Sequence, residues 1–507
     1  MIEYEKKKEE FEKNFTSVIE QAVINLSATF DRLFIEKNSA SIAATIGTAM
    51  AMLKSNYNVP CKMQISYDIA NAYNDLRVLS QDNNEPNLEK EIYYLRNALD
   101  MYESNFFEDE DDVSEQVDAK VARYIAMRTY TNLGNAMRTI GRYIVAIDCF
   151  QNALIINNAF SMASLNLSFV LFSYAQLQIK SYEQNYYHHA CYYYYKESEK
   201  YKINLEDQKY LERLKETISI FADEYIENYL SKPLDLPSFG VNNSMEIDYR
   251  NYMLTFRLFL EPCLDILSAP CFAVDSLNLP FETTLCSRQK EFIGLFNQIK
   301  QEYNLARYLW YKTTVINEPM NHFADQEMDF IEAGDCADFS LREGLLRTAL
   351  RTIYSIFDRI GFFINEYYGI GLSDTKVSFK NIWKNELRDA EGNVYFNIPN
   401  PIMSSHGNNP LVKAMYWLQK DFFEDKKTNI TSPNAEPIFR MRNDMEHNCL
   451  RTGKRSFDTT FTKYTVEGKI EDNTHKLLRL AREIIIYLCL SINFEQKWAD
   501  KSKNNIS

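Results

Sequence analysis

The chain has 507 residues, a formal net charge of −14 and 46% hydrophobic residues. This length exceeds one compact core and predicts roughly two to four domains. The acidic balance argues against a protein that coats nucleic acid through bulk electrostatics, so any nucleic-acid contact must be local. Only 14 glycines and 13 prolines are present, which disfavours an all-β architecture and predicts long helices with short connections.

Residues 1–15 are charged throughout and lack the apolar stretch of a secretory signal. The most apolar run, at residues 40–53, is shorter than the ~20 residues that cross a bilayer. The nine cysteines are widely spread and form no C-x-x-C pair, so we expect reduced, mostly buried thiols. These features predict a cytoplasmic protein with no membrane partner, no metal and no cofactor.

A helical repeat is predicted in the first part of the chain. Seven residues have the spacing of a tetratricopeptide repeat: Tyr130, Leu133, Gly134, Met137, Ala146, Phe150 and Ala153. Related helices occur about 34 residues later, at 165–171, and earlier, at 67–73. The small residues at equivalent positions, Ala70, Gly134 and Ser168, predict that two helices approach closely there. The segment resembles the tetratricopeptide family, which implies stacked helix pairs with a surface for a protein partner.

The pattern breaks at residues 231–244, where prolines, a glycine and asparagines cluster. We therefore divide the chain into a repeat domain at 1–230, a connecting segment at 231–285 and a second helical domain at 286–507. Within the last part, apolar periodicity predicts long helices at 288–314, 345–370, 410–423 and 474–497. The polar segment 371–409 is interpreted as an insertion with irregular structure. A short hairpin is expected within the Thr-rich segment 457–468.

The segment from Ile438 to Lys454 is unusually polar and holds one of only six histidines. On a helix, Glu446, Asn443 and His447 lie about 40°, 100° and 140° from Arg442. The apolar residues occupy the opposite face: Ile438, Met441, Met445 and Cys449. One side of the predicted helix can therefore be buried, while the other carries a cation, an amide, a carboxylate and an imidazole together.

This polar face has two interpretations. In the first, it is an ordinary solvated helix surface, which is the default for charged helix faces. In the second, it cleaves RNA through the substrate's own 2′-hydroxyl, a reaction that needs only an acid or base near neutral pH and a cation for the phosphate. Histidine supplies the first and arginine the second, without a metal.

The spacing R-x4-H from Arg442 to His447, with Asn443 after the arginine, resembles the motif of HEPN domains. The resemblance extends over residues 286–497 and includes three segments in the same order, at 296–311, 356–370 and 440–451. It is nearest to the subgroup that lies behind tetratricopeptide-like repeats. The family implies a small helical bundle that forms a homodimer and brings two motifs into one RNA-cleaving cleft.

The resemblance assigns a role to each residue of the motif. It implies that Arg442 stabilises the scissile phosphate and that His447 serves as acid or base. Asn443 would orient the motif or contact RNA, and Glu446 would hold the imidazole tautomer or pair with the arginine. Asp358, on an earlier helix, is a further candidate for contacting that arginine.

One position departs from the family. HEPN toxins that are silenced by adenylylation carry a tyrosine two residues after the histidine, where this chain has Cys449, so control by that modification is not expected. The local charge fits RNA binding, because the segment 438–455 has more cations than anions: Arg440, Arg442, Arg451, Lys454 and Arg455 against Asp444 and Glu446. Such a basic island predicts weak, salt-sensitive binding.

The sequence thus predicts an all-α protein with a tetratricopeptide-like repeat array and a HEPN bundle that acts as a metal-independent endoribonuclease. The array would bind a protein partner or trigger, in bacterial defence or toxin-antitoxin growth arrest. The alternative is a non-catalytic protein, either a dimeric scaffold or a nucleotide-binding adaptor. The RNA target, the trigger and any neutralising partner do not follow from the sequence.

Overall fold

The computed structural model describes residues 12–504 with fourteen gaps. The gaps are residues 81–84, 107–116, 202–204, 239, 241–242, 282–286, 316–321, 330–336, 389–393, 397–408, 422–430, 448, 454–461 and 467. The chain forms two compact units. The first contains the described residues of 1–174, 188–232 and 428–433, and the second contains those of 175–187, 233–427 and 434–507.

Helix pairs follow one another along the first part of the chain. They are α1 (Gln21–Ile35) and α2 (Ser39–Leu53), α3 (Val59–Ser80) and α4 (Glu85–Phe106), α5 (Val117–Thr139) and α6 (Tyr143–Ile156), and α7 (Ser161–Ala175) and α8 (Ser181–Glu199). Helix α9 (Leu205–Ile218) and two short segments, Asp223–Tyr225 and Ile226–Leu230, come next. We call the helix pairs of the first unit the repeat array.

Packing inside the array has the form that the repeat pattern predicts. All seven residues of the predicted repeat are buried. A Cβ atom on Gly134 would lie 2.7 Å from the ring of Phe150, so any larger residue would force that ring or the helices α5 and α6 to shift. In the next pair, the buried hydroxyl of Ser168 donates to the carbonyl of Cys191, 2.8 Å away. Small residues thus mark the helix crossings, and the array is consistent with the predicted repeats.

The second unit is built mainly from long helices. They are α10 (Ser244–Thr255), α11 (Ser287–Val315), α12 (Leu341–Tyr368), α13 (Pro410–Leu418), α14 (Ala435–His447) and α15 (Lys469–Asn504). Shorter helical turns lie at Pro262–Asp265, Pro270–Phe272, Phe323–Gln326, Asn381–Trp383 and Gln419–Asp421. Together with the array they confirm the all-α prediction, and small sheets are an addition to it.

Helices α11, α12, α13 and α15 pack around one apolar core. It contains fully buried side chains from each helix: Ile299, Tyr303, Ala306, Leu350, Ile353, Ile360, Leu411, Met415, Leu418, Leu477, Ile484 and Leu488. Their spacing of three and four residues is the pattern that predicts amphipathic helices. Among the described residues, no helix combines the length and the apolar character needed to cross a bilayer.

Residues 233–281 pack within the second unit through two buried arginines. Arg307 of α11 donates to both carboxylate oxygens of Asp275, at 2.9 and 2.6 Å. Arg482 of α15 donates to Asp265 at 2.5 Å and to the carbonyl of Phe259 at 2.6 Å. Removing Arg482 would leave the buried Asp265 without its charge partner, and removing Arg307 would do the same to the partly buried Asp275, so these contacts hold the segment on the helices.

Two short sheets complete the second unit. Strands β1 (Ala337–Asp338), β4 (Cys449–Gly453) and β5 (Thr462–Val466) form a sheet in the order β1-β4-β5, and β2 (Lys384–Arg388) pairs with β3 (Val394–Phe396). Strand β5 lies in the segment predicted to form a hairpin, but it pairs in parallel with β4. Residues 457–461 and 467 of that segment lie outside the described residues, so the hairpin stays a prediction.

The segment 371–409, interpreted as a polar insertion, contributes to the core where the structure describes it. Phe379 and Trp383 are fully buried, and their rings meet edge to face. Phe379 also packs on Phe357 of α12. The remainder of the segment includes β2 and β3, and residues 389–393 and 397–408 lie outside the described residues.

Candidate active site

Helix α14 carries the R-x4-H motif. It follows Pro433 and Asn434, and the carbonyl of Asn434 accepts a hydrogen bond from the amide of Ile438 at 3.2 Å. The helix ends at His447, and strand β4 begins at Cys449. The prediction that the helix includes Cys449 is thus wrong. Pairing of β4 with β1 and β5 satisfies the backbone beyond the motif, so an extended conformation replaces further helical turns.

The apolar face of α14 is buried. Ile438, Met441 and Met445 are only 3%, 6% and 5% exposed, and Ala435 is fully buried. These side chains follow helical spacing and form one stripe. Cys449, predicted to extend the stripe, lies in β4 instead. On the other side of the helix Arg440 is exposed, so the described side chains of α14 include a buried face and an exposed position opposite it.

Helix α12 holds α14 by two hydrogen bonds to its main chain. The guanidinium of Arg351 donates to the carbonyl of Met445 at 3.0 Å, and the hydroxyl of Tyr354 donates to the carbonyl of Ile438 at 3.1 Å. As α12 advances from 351 to 354, its contacts move back along α14, so the two helices run antiparallel. From α15, the amide of Asn473 lies 3.6 Å from the sulfur of Met441.

The main chain of Arg442, Asn443, Glu446 and His447 lies in α14, but Asn443 is the one residue of these four whose side chain is described. The side chains of Arg442, Glu446 and His447 lie outside the described residues, and so do those of Arg451, Lys454 and Arg455 in the basic island. Asn443 is half-buried. The roles assigned to these residues therefore stay predictions.

Asp358 is exposed on α12, where its carboxylate accepts a hydrogen bond from the amide of Phe379 at 3.2 Å. It lies one helical turn beyond Tyr354. Because α12 and α14 are antiparallel, this turn is on the side where α14 begins, away from His447. The described contact of Asp358 is thus an anchor for the 378–379 turn, and its contact with Arg442 stays a prediction.

Arg351 is a residue of the site that the sequence reasoning missed. It is an exposed residue whose guanidinium reaches the last turn of α14, two residues before His447. A signal was present, because Arg347 and Arg351 are spaced four residues apart and lie on one side of α12. Without a partner helix in view, that spacing cannot be distinguished from an ordinary solvated face.

Histidines elsewhere have structural surroundings. The ring of His188 packs between Phe172 and Phe221, and burial lowers its pKa. The ring of His475 stacks on Trp310, and burial, followed by nearby cations, lowers its pKa to about 4. No group of three or more potential metal ligands occurs in the described parts of the chain.

Fold and site together define a helical bundle with an R-x4-H helix held against its longest neighbours. Residues 284–495 match the family model described as LA2681-like HEPN, so this part of the chain carries a HEPN domain. The match does not extend to the repeat array. Neither the curated proteins nor the solved structures contain a match to the chain.

Proposed function

We propose that the protein is a metal-independent endoribonuclease of the HEPN type and that α14 carries its catalytic residues. The observation behind this proposal is the two-faced character of α14 within a HEPN domain. Burial of Ile438, Met441 and Met445 fixes the rotation of the helix. The helical period then predicts that positions 447 and 442 lie about 160° and 60° around the helix from the centre of that face.

The reaction uses the substrate's own nucleophile. The ribose 2′-hydroxyl attacks the adjacent phosphorus, the bond to the 5′-oxygen breaks, and the products are a 2′,3′-cyclic phosphate and a 5′-hydroxyl end. His447 moves a proton to or from these oxygens, and Arg442 stabilises the charge that develops on the phosphate. Asn443 contacts RNA or orients the motif, and Glu446 holds the imidazole or pairs with the arginine.

The wider setting is part of the same proposal. Two bundles would dimerise and bring two motifs to one RNA, and the array would bind the protein partner or trigger. The protein would act in the cytoplasm, in defence or toxin-antitoxin growth arrest. The HEPN domain class supports RNA cleavage or a nucleotide-related function. The proposals of a dimer, a partner on the array and a role in defence rest on that family match.

His447→Ala tests the proposal. Loss of general acid-base catalysis is expected to lower RNA cleavage by about 10²-fold or more. The assay follows a labelled RNA with the purified full chain in EDTA and detects the 2′,3′-cyclic phosphate end. Expression of the parent is expected to arrest growth, and expression of the variant is not.

Arg440→Ala is the matched control, because it removes an exposed cation from the same helix without changing the motif. It is expected to weaken RNA binding slightly, in a salt-dependent way, and to leave the rate at saturating RNA near that of the parent. Equal cleavage by the parent and His447→Ala would instead favour the scaffold or adaptor interpretation.

A further inference from the structure

A stripe of polar side chains runs along one side of α3 in the repeat array. Gln64, Asp68, Asn71 and Asp75 follow one another at steps of four, three and four residues. On a helix these positions fall within about 60° of one another and extend over about 16 Å. We call these four residues the α3 stripe. Helix α3 packs on both α1 and α5, so groups on two neighbouring helices can reach the stripe.

The array itself pairs the middle of the α3 stripe. From α1, the hydroxyl of Ser27 donates to Asp68 at 2.5 Å. From α5, the amide of Asn132 donates to Asn71 at 2.8 Å. Burial raises the pKa of Asp68 to about 7, against the charge of Arg128, which lies one turn before Asn132. Asp68 and Asn71 are thus satisfied by groups of the same unit.

Two carboxylates beside this paired part are different. Asp75 is half-buried, and Asp31, on α1, is exposed. Among the described residues, neither carboxylate has a hydrogen bond or an ion pair. The next arginine along α3, Arg77, is already paired with Glu91 at 3.4 Å. Burial, followed by the charge of Asp31, raises the pKa of Asp75 to about 6, whereas an adjacent cation would lower it.

A buried acceptor at the beginning of the stripe also lacks a donor. Gln64 is only 3% exposed, and its Nε2 donates to Asp68 at 2.8 Å. No donor of the described residues reaches its Oε1. Buried polar groups in native proteins nearly always have a partner. This oxygen, next to a carboxyl group, therefore indicates a donor that comes from outside the chain.

The charge of the stripe selects among partners. Its carboxylates repel the phosphates of RNA, and a second copy of this chain has the same net charge of −14. A lysine or arginine side chain brings the positive charge that Asp31 and Asp75 lack, together with N–H donors for an acceptor such as Gln64. About five residues of extended chain match the length of the stripe. A short extended segment with cationic side chains thus fits it.

We propose that the α3 stripe, together with Asp31, binds a segment of a protein partner that carries lysine or arginine. One cationic side chain lies between Asp31 and Asp75, and a second donor pairs with Gln64. The amide of Asn71, between these positions, contacts the main chain of the segment. The proposal names the chemistry of the partner that the proposed function assigns to the array, and it rests on that part of the proposed function.

Binding of a labelled peptide to the purified full chain tests the proposal. The probe is acetyl-Gly-Lys-Gly-Lys-Gly-amide with a fluorophore, and fluorescence anisotropy measures its affinity near neutral pH. Asp31→Asn combined with Asp75→Asn is expected to weaken binding about tenfold, because two ion pairs are lost. Thermal unfolding is expected at or above the temperature of the parent, because a half-buried charge is removed. Weaker binding without lower stability then reports a contact with the peptide.

Glu212→Gln combined with Glu216→Gln is the matched control, because it removes two exposed carboxylates from α9 and leaves the same net charge. Its affinity for the lysine peptide is expected to stay near that of the parent. Asp31→Lys is expected to bind acetyl-Gly-Glu-Gly-Glu-Gly-amide better than the parent does. An equal loss in the control would show diffuse attraction to an acidic protein, and it would overturn the proposal.

The docking proposal and the nuclease proposal fail in different ways. If the parent does not bind the lysine peptide, or if the variant of Asp31 and Asp75 binds it as the parent does, the docking site is refuted, whatever the outcome with RNA. If peptide binding depends on these two carboxylates but neither the parent nor His447→Ala cleaves RNA, the docking site stands and the nuclease does not.

Discussion

Arg351 holds the turn of α14 that precedes His447. Arg351→Ala removes its hydrogen bond to the carbonyl of Met445 and is expected to lower the cleavage rate about tenfold, because the last turn loses its support. The matched control is Arg359→Ala, on the same helix, where the arginine pairs with Glu302 of α11. Single-turnover cleavage at saturating RNA measures both. Equal effects of the two substitutions would argue against a specific role for Arg351.

The buried carboxyl group of Asp68, on α3, is expected to make the stability of the array depend on pH. Burial raises its pKa to about 7, against hydrogen bonds from Ser27 at 2.5 Å and Gln64 at 2.8 Å. A folded-state pKa above the unfolded value of about 3.9 means that its favourable contribution is complete below that value. The contribution is then lost as the pH rises through about 7.

Asp68→Asn removes this dependence. Thermal unfolding of the variant is expected to occur a few degrees above that of the parent at pH 8, with the difference disappearing as the pH falls below about 3.9, where the parent carboxyl becomes neutral in both states. The control is Asp118→Asn, at an exposed position on α5, and its unfolding temperature should differ little from that of the parent at either pH. A difference for Asp68→Asn that is the same at both pH values would contradict the assignment.

Individual residues of the site were predictable only where local spacing determines them. The burial of Ile438, Met441 and Met445 follows from a helical period near 3.6, and the structure has all three side chains buried. Cys449 fits the same period, but it lies in β4 because strands distant in sequence pair there. Arg351 was missed for a related reason, since its partner is a carbonyl on another helix.

Among the elements, α12 contains two glycines in opposite surroundings. A Cβ atom on Gly361 would lie 2.6 Å from the backbone nitrogen of Phe379, whereas one on Gly344 would meet nothing within 4 Å. Gly344→Ala is therefore expected to stabilise the protein by about 0.5–1 kcal/mol through helix propensity. Gly361→Ala is expected to destabilise it by roughly 2 kcal/mol, because the 378–379 backbone must move.

Urea unfolding of the two variants, compared with the parent, measures this contrast. The two substitutions are chemically identical and lie on one helix, so the difference between them reports the close approach at Gly361. If both substitutions stabilise the protein, the backbone at residues 378–379 can move at little cost in free energy. In that case the bond from Phe379 to Asp358 should also be dispensable, since both contacts hold the same turn.

The helices were the most predictable elements. Apolar periodicity located α11, α12, α13 and α15, because each buries one continuous face on a shared core. The strands were poorly predicted, because β4 pairs in parallel with β5 and also pairs with β1, which precedes α12 in the chain. Neither pairing follows from the local sequence.

At the scale of the whole molecule, the two units are interleaved along the chain. Residues 175–187 belong to the second unit, where α15 holds them. Asn493 donates to the carbonyl of Leu177 at 3.0 Å, and Lys497 donates to the carbonyl of Gln178 at 3.1 Å. Helix α8 has one uninterrupted helical pattern in the sequence, so nothing in its periodicity reveals that its two halves pack in different units.

Two fragments test the importance of this segment. The fragments 175–507 and 188–507 both contain residues 188–232 and differ only in residues 175–187. The shorter one is expected to unfold at lower urea concentration, because it leaves buried groups such as the Asn493 amide unpaired, at about 1–3 kcal/mol each. Equal midpoints, with both fragments folded by circular dichroism, would show that the segment adds nothing to the second unit.

The position of α15 in the chain affects how the protein is made. This helix supplies one wall of the bundle core, yet every other helix of the bundle precedes it. While the ribosome is still translating that wall, α11, α12 and α13 present an open apolar groove of the kind that chaperones recognise. A nascent chain therefore completes its R-x4-H domain only near the end of the segment described, and truncated translation products would be substrates for quality control rather than active molecules.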